Sequence, residues 1–432
     1  MKRSYLALCI SALALLFVGC SPTEDADDVT SWGNAPLGDF EELVGNAPEN
    51  DTLPNEMKAD FPYPTQFFEL IDSQSPIQSQ GGRGVCSIFS TVALMEHLYN
   101  RAGHEALDFS EQFLQWSVKF NDNTYPNTGG SSPTANLRVI HKYGIPLEEA
   151  WPYESFAWTS VHDEACAKVS CTTGSECDTG ICKSGKCALA NRCYTNGEPP
   201  ESAKEAKQYF LPEGRYINTR SIKDHIYFKK TAVVVGLDFF YQSWNHRRSA
   251  LPTNRSNWSQ GYVLAPNSED VVESHKQRAG HSILLIGWDD ELEVATRDAE
   301  GNVVLDEEGN AVKERGFYLF KNSWGDDSFG VHNPHGAGYG FISRKYVEKY
   351  GRGARMTELP EPPAGPQPTT FEASFNGVVE HDEMVKHSVD VGRNATHIKV
   401  EMTGDNDADL YTKFGGDPTD ADHDCRSYRR RP

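Results

Sequence analysis

A tight glycine turn that runs straight into an amphipathic helix constrains this chain more than any other stretch. The turn reads Gln80-Gly81-Gly82-Arg83-Gly84-Val85 and delivers Cys86. Beyond it Ile88, Phe89, Val92, Ala93, Leu94 and Leu98 recur at three- and four-residue steps, the period of a helix. Cys86 therefore belongs at or near a helix N-terminus, where free N–H groups and the helix dipole favour a thiolate. Gln80 lies across the turn, and its side-chain amide can aim at the same point as the Cys86 backbone N–H. Two donors converging beside a nucleophile make an oxyanion hole. The same pattern also suits a buried cysteine that merely starts a core helix.

Two later stretches favour chemistry. Gly280-His281-Ser282-Ile283-Leu284-Leu285-Ile286-Gly287-Trp288 reads as a histidine opening a buried strand, and Phe317 to Gly325 as a second strand ending in Asn322-Ser323-Trp324-Gly325. A thiolate nucleophile needs a base, and the base needs an orienting group. His281 supplies the first and the Asn322 side chain the second, with Trp324 covering their hydrogen bond. A thiolate–imidazolium pair would carry its thiol pKa below about 8.5 and its imidazole pKa above about 6.5.

With these residues in place the chain resembles the papain family of cysteine proteases. Further stretches match it in order: Phe109-Ser110-Glu111-Gln112, Thr128-Gly129-Gly130, Tyr143-Gly144-Ile145 with Trp151-Pro152-Tyr153-Glu154, and Gly338-Tyr339-Gly340-Phe341-Ile342. The resemblance runs from about Pro62 to Ile342. It implies an α+β fold of two lobes, one helical and one β-barrel-like. It assigns Cys86, His281, Asn322 and Gln80 to catalysis, and Gly84, Gly129, Gly130, Gly280 and Trp324 to substrate binding. It implies peptide or protein substrates and neither metal nor organic cofactor. Arg83 stands where the family usually has a disulfide cysteine, Val85 and Ser87 flank the nucleophile unusually, and Gly280 stands where many members have Asp or Asn. The gaps from Cys86 to His281 and to Asn322 are long for the family, and two insertions at 166–193 and 289–315 account for them.

The remaining chain reads as appended modules. A formal net charge of −21 argues against nucleic acid as a partner. Residues 1–20 form a signal: Lys2 and Arg3, then an apolar run from Tyr5 to Val18, ending Leu16-Phe17-Val18-Gly19-Cys20. This resembles a bacterial lipoprotein cleavage box with lipid on Cys20, which would anchor the exported protein to a membrane; an ordinary signal cut near Gly19 is the alternative. Residues 21–60 are acidic and read as a disordered tether or short propeptide. They look too short for the helical propeptide of papain relatives, so latency is expected from elsewhere.

Cys166, Cys171, Cys177, Cys182, Cys187 and Cys193 form a dense cluster without histidine, which reads as a disulfide framework rather than a zinc site. Asp298 to Asn302 and Asp306 to Asn310 repeat as hairpin turns; their carboxylates lack EF-hand spacing for calcium. The peptidase domain is expected over 61–355, a Pro-rich linker over 356–369, and over 370–432 an incomplete β-sandwich resembling the bacterial pre-peptidase C-terminal domain, with Cys425 unpaired. A surface-binding protein that keeps the fold without cleaving, and a Cys/His amidase of cell wall, are the rival readings.

Overall fold

The computed structural model describes residues 36–58, 60–183, 185–363, 373–381, 383–391, 398–404, 408–419 and 421–427. The signal stretch, Cys20 and the first part of the acidic stretch lie outside them. The described chain divides into a unit up to Pro363 and a smaller one from Ala364.

The larger unit is α+β. Its helical half holds α2 (Cys86–Arg101), α3 (Glu111–Phe120) and α4 (Pro133–Tyr143), preceded by a short α1 (Phe40–Val44). The helix expected from Cys86 is present as α2. The last helix, α4, starts at Pro133 because Ser132 caps it by accepting from the Ala135 N–H and Pro133 fits the first turn. In α2 every residue from Cys86 to Tyr99 is buried, so this helix is the central pillar, wrapped by α3, α4 and the sheet.

The described residues of the two units hold twelve strands, in chain order β1 (Gln66–Phe67), β2 (Cys182–Lys183), β3 (Lys186–Cys187), β4 (Arg215–Tyr216), β5 (Val233–Asp238), β6 (Tyr262–Val263), β7 (Gly280–Ala295), β8 (Lys313–Lys321), β9 (Tyr339–Ser343), β10 (Gly351–Met356), β11 (Leu410–Thr412) and β12 (Cys425–Ser427). Eight of them make one sheet in the order β4-β10-β5-β7-β8-β9-β6, with β1 added on β7. The stretches Val233–Asp238 and His281–Trp288 are buried throughout, which their unbroken apolar runs require.

The insertion after His281 extends β7 and β8 outward and ends in two turns. Gly301 and Gly309 take positive φ there, and Asp298 and Asp306 each accept from the backbone four residues on. The carboxylates thus serve the turns themselves.

The six clustered cysteines pair as Cys166–Cys193, Cys171–Cys182 and Cys177–Cys187 around the β2–β3 hairpin. Cys86 and Cys425 are free among the described residues.

The expectation for the acidic stretch fails. Residues 36–58 do not hang as a disordered tether. Phe40, Leu43, Val44 and Ala47 are buried, spaced three and four apart on one face of α1 and the turn after it. Acidic residues set the composition of this stretch, but four apolar side chains at helical spacing set its packing.

In the smaller unit β11 and β12 pair antiparallel, and Cys425 is exposed. Val389, Val391, Ile398 and Val400 are exposed and outside strands, so the period-two pattern read there does not form a covered sheet face among the described residues.

Candidate active site

Cys86 is the first residue of α2, and its thiol sits against backbone N–H groups of Ser282, Ser87 and Gly38. The helix is locked to β7 at this point, because Ser90 and Ser282 share a 2.7 Å hydroxyl hydrogen bond. His281 is the second residue of β7, opposite Leu237 of β5. Asn322 follows the last residue of β8, the neighbouring strand on the other side. A helix start and adjacent ends of paired strands thus bring together the Cys, His and Asn that the sequence singled out.

The protonation of the imidazole follows from one amide. Asn322 Oδ1 accepts from the Ser323 backbone N–H at 2.9 Å, which fixes which amide atom is oxygen. The same oxygen lies 2.8 Å from His281 Nε2, so Nε2 carries the proton and donates it. Nδ1 is left bare, buried and without a partner.

Aromatic rings enclose this pair. Trp324 stacks on the imidazole at 4.4 Å, as expected, while Trp244 meets it edge-on at 5.3 Å. Trp258 in turn stacks on Trp324 at 5.6 Å. The sequence reading missed Trp244 and Trp258. Each lies far from the motif residues in the chain and carries no signal of its own.

Gln80 is placed by the strand end as well. Residues 78–80 run beside 323–325: Gln80 N donates to Ser323 O and Gly325 N to Gln78 O. The Gln80 side chain accepts from Ser323 Oγ at 2.8 Å and spends one amide hydrogen on Arg83 O at 2.7 Å. Its second amide hydrogen is uncommitted.

The cleft over Cys86 is filled by the chain's own N-terminal segment. Gly38 and Gly280 exchange both backbone hydrogen bonds at 2.9 Å, and a Cβ at Gly38 would stand 3.6 Å from Cys86 Sγ. The Leu37 carbonyl lies over Gly84, Glu42 lies over Gly130, and Phe40 and Leu43 lie on Gly280. Gly129 is the exception among the expected substrate-binding glycines, facing the Tyr194 ring instead.

Covering changes the electrostatics. Burial pushes the Cys86 thiol up to about 11, against the pull of its N–H neighbours. Burial also pushes the His281 imidazole down to about 3, against its hydrogen bond to Asn322. Both shifts favour the neutral thiol and the neutral imidazole over the expected thiolate–imidazolium pair while the site is covered.

A sequence profile described as papain family cysteine protease matches residues 69–351. The chain belongs to that family. The thiol protease aleurain of Arabidopsis thaliana is 31% identical over 109 residues, 24% of this chain and 30% of aleurain. Cysteine proteinase 2 of Zea mays is 32% identical over 80 residues, 18% of this chain and 22% of the plant protein. The matched segments thus span less than a third of either relative.

Among solved structures, xylellain, a cysteine protease from Xylella fastidiosa, aligns at TM-score 0.41 and 14% identity, covering 76% of this chain and 96% of its own. The cysteine protease and lectin-like domains of Cwp84, a surface layer associated protein of Clostridium difficile, align at TM-score 0.43 and 14% identity, covering 69% and 52%.

Two departures from the papain-family pattern have local causes. A Cβ at Gly280 would stand 2.9 Å from both Leu43 Cδ2 and the Phe40 Cα, so the covering segment needs glycine there. Arg83, in place of a bridging cysteine, is buried and fans out instead. It donates to Gln112 Oε1 at 2.8 Å, Glu154 O at 2.9 Å and Tyr194 O at 2.9 Å, and lies over the Tyr153 ring. One guanidinium ties together stretches that a disulfide would otherwise staple.

Proposed function

We propose that this chain is an exported thiol peptidase held latent by residues 36–48. The observation that carries the reading is the His281 ring: Nε2–H committed to Asn322, Nδ1 bare, next to a strand whose Ser282 N–H meets the free thiol of Cys86.

In the uncovered site, Nδ1 takes the Cys86 proton. The sulfur attacks the scissile carbonyl carbon, and the C–S bond forms as the carbonyl π pair moves onto oxygen. The Cys86 N–H and the free Gln80 amide hydrogen face that oxyanion. Collapse breaks the C–N bond, with the Nδ1 proton going to the leaving amine. Water, deprotonated by Nδ1, then attacks the thioester, and the acid and thiol are released. Asn322 holds the ring throughout and transfers no proton. Trp324 and Trp244 keep water from its hydrogen bond.

The covering segment acts as a short propeptide. The signal residues 1–20 direct export, and a lipid on Cys20 anchors the chain to a bacterial membrane or surface. The peptidase domain spans 61–355 with insertions at 166–193 and 289–315. A linker at 356–369 leads to a partial pre-peptidase C-terminal domain at 370–432. The three disulfides fit an oxidising, extracytoplasmic compartment.

The test uses the full chain with its plug repelled by charge, as Asp39→Lys/Glu42→Lys. This protein should cleave an unstructured peptide library, and the same protein carrying Cys86→Ala should not. Binding of peptides without cleavage would favour the surface-binding reading instead.

A further inference from the structure

The carboxylate of Glu42 sits in a built site. Oε2 accepts from Thr128 Oγ1 at 2.6 Å, and Oε1 pairs with Lys183 Nζ at 3.0 Å. Lys183 comes from β2 at the tip of the disulfide module, and it also reaches Asp39 Oδ2 at 3.1 Å.

Beneath the same spot lies Lys119. It is 1% exposed, and its ammonium donates to Gly130 O at 3.1 Å and Tyr125 O at 3.4 Å. Those partners are carbonyls, neither of which balances its charge. Burial pushes this lysine down to about 7, and Glu42 is the group that pulls it back up. Arg83, also buried, adds positive charge nearby.

A lysine on a hairpin stapled by disulfides and a hydroxyl therefore meet one carboxylate, and buried Lys119 attracts the same carboxylate from beneath. They do so beside Gly130, with a hypothetical Cβ there only 3.5 Å from the Glu42 Cβ. Apolar packing of Phe40, Leu43 and Val44 would dock the segment without any of this. The charge arrangement is also fixed to the domain and not to the segment, so it persists when the segment leaves.

We propose that Thr128, Lys183 and Lys119 form a carboxylate-binding subsite of the cleft, filled by Glu42 in the covered state and by a glutamate or aspartate side chain of the substrate in the open one. This rests on the peptidase reading above. The disulfide module is then a specificity element: its three bridges hold Lys183 at the cleft edge. Lys183 is the specificity-determining residue that the papain-family pattern does not supply, because it lies within the insertion.

The experiment profiles the full chain carrying Asp39→Lys/Glu42→Lys against peptide pairs that differ by Glu against Gln at a single position. At one fixed distance from the cut, kcat/KM should favour Glu by about 10-fold, the scale of one partly buried ion pair. Adding Lys183→Glu should collapse or invert that ratio. A second readout is independent of turnover: a synthetic peptide of residues 36–48 should bind the opened protein about 10-fold more tightly than its Glu42→Gln version, in Cys86→Ala as well. Cleavage with no acidic preference at any position, or equal binding of the two peptides, would overturn the subsite. If no library peptide is cleaved while the two synthetic peptides still differ in binding, the subsite stands as a site for Glu42 alone: the peptidase reading fails, and the substrate claim with it.

Discussion

Gly38 and Gly280 close a two-bond antiparallel bridge directly over Cys86. A side chain at position 280 would strike the Phe40 backbone and the Leu43 side chain. Gly280→Asp, which restores the residue common in the papain family, should therefore push the segment off. Overpacking of this kind costs about 1–3 kcal/mol, so the cleft should open by a factor of roughly 5–150. Alkylation of Cys86 by iodoacetamide, without reductant, should accelerate accordingly. An unchanged rate would mean that the bridge does not control access.

The covered state should be pH-sensitive, and the sign follows from the two buried groups. His281 titrates near 3 when covered and near 6.5 when free, so the open state binds the proton better. Falling pH therefore favours opening, from about 6.5 downward, by about 2 kcal/mol at pH 5. Asp39 adds to this below its ordinary value. Burial raises its pKa, but the Glu42 N–H and Lys183 lower it further, and that gain is lost on protonation. Cys86, raised to about 11, works at the other end and favours opening above pH ~8.5. Hydrogen exchange at the Gly38 and Gly280 amides, corrected for intrinsic rate, should show most protection between those limits. Protection that rises from pH 7 to 4.5 would contradict the account.

Arg83 should matter to stability out of proportion to its charge. Arg83→Met would leave the carbonyls of Glu154 and Tyr194 without their side-chain donor and Gln112 Oε1 with only the Glu154 N–H. The expected loss is about 3 kcal/mol in urea unfolding. A loss below about 1 kcal/mol would show that water or repacking replaces the guanidinium.

In the opened protein, Asn322→Ala should lower kcat and leave part of it, since Asn322 orients the base and moves no proton. Gln80→Ala should lower kcat by roughly 10²–10³, the cost of one oxyanion donor. Steady-state kinetics on one peptide decide both. An unaffected kcat in Gln80→Ala would leave the Cys86 N–H as the oxyanion donor.

The placement of Cys86, His281 and Asn322 was legible because each begins or ends an element whose pattern is strong. α2 follows a glycine turn, Ile283 to Ile286 form an apolar run near the start of β7, and Phe317 to Phe320 form another at the end of β8. The six cysteines were legible as disulfides by density, though their pairing was not, since spacing alone leaves every connectivity open. The covering segment was not legible. α1 is five residues long, too short for a periodic signal, and its apolar residues are diluted by acids. Its clearest trace was indirect: Gly280 stands where the papain family often carries a side chain, and only the packed structure gives the reason. Lys183 and Lys119 were invisible for a different cause. Their role depends on the disulfide insertion and α3 approaching one carboxylate of the covering segment, a long-range arrangement that no local pattern encodes.

The most direct test of the central claim is an active-site titration. Full chain carrying Asp39→Lys/Glu42→Lys is mixed with an excess of an N-acyl amino acid p-nitrophenyl ester, quenched in acid, and digested for mass spectrometry. The account predicts a burst of about one nitrophenolate per chain and an acyl mass on the peptide containing Cys86, both lost in Cys86→Ala. A burst that survives Cys86→Ala, or an acyl group found on any other residue, would contradict it.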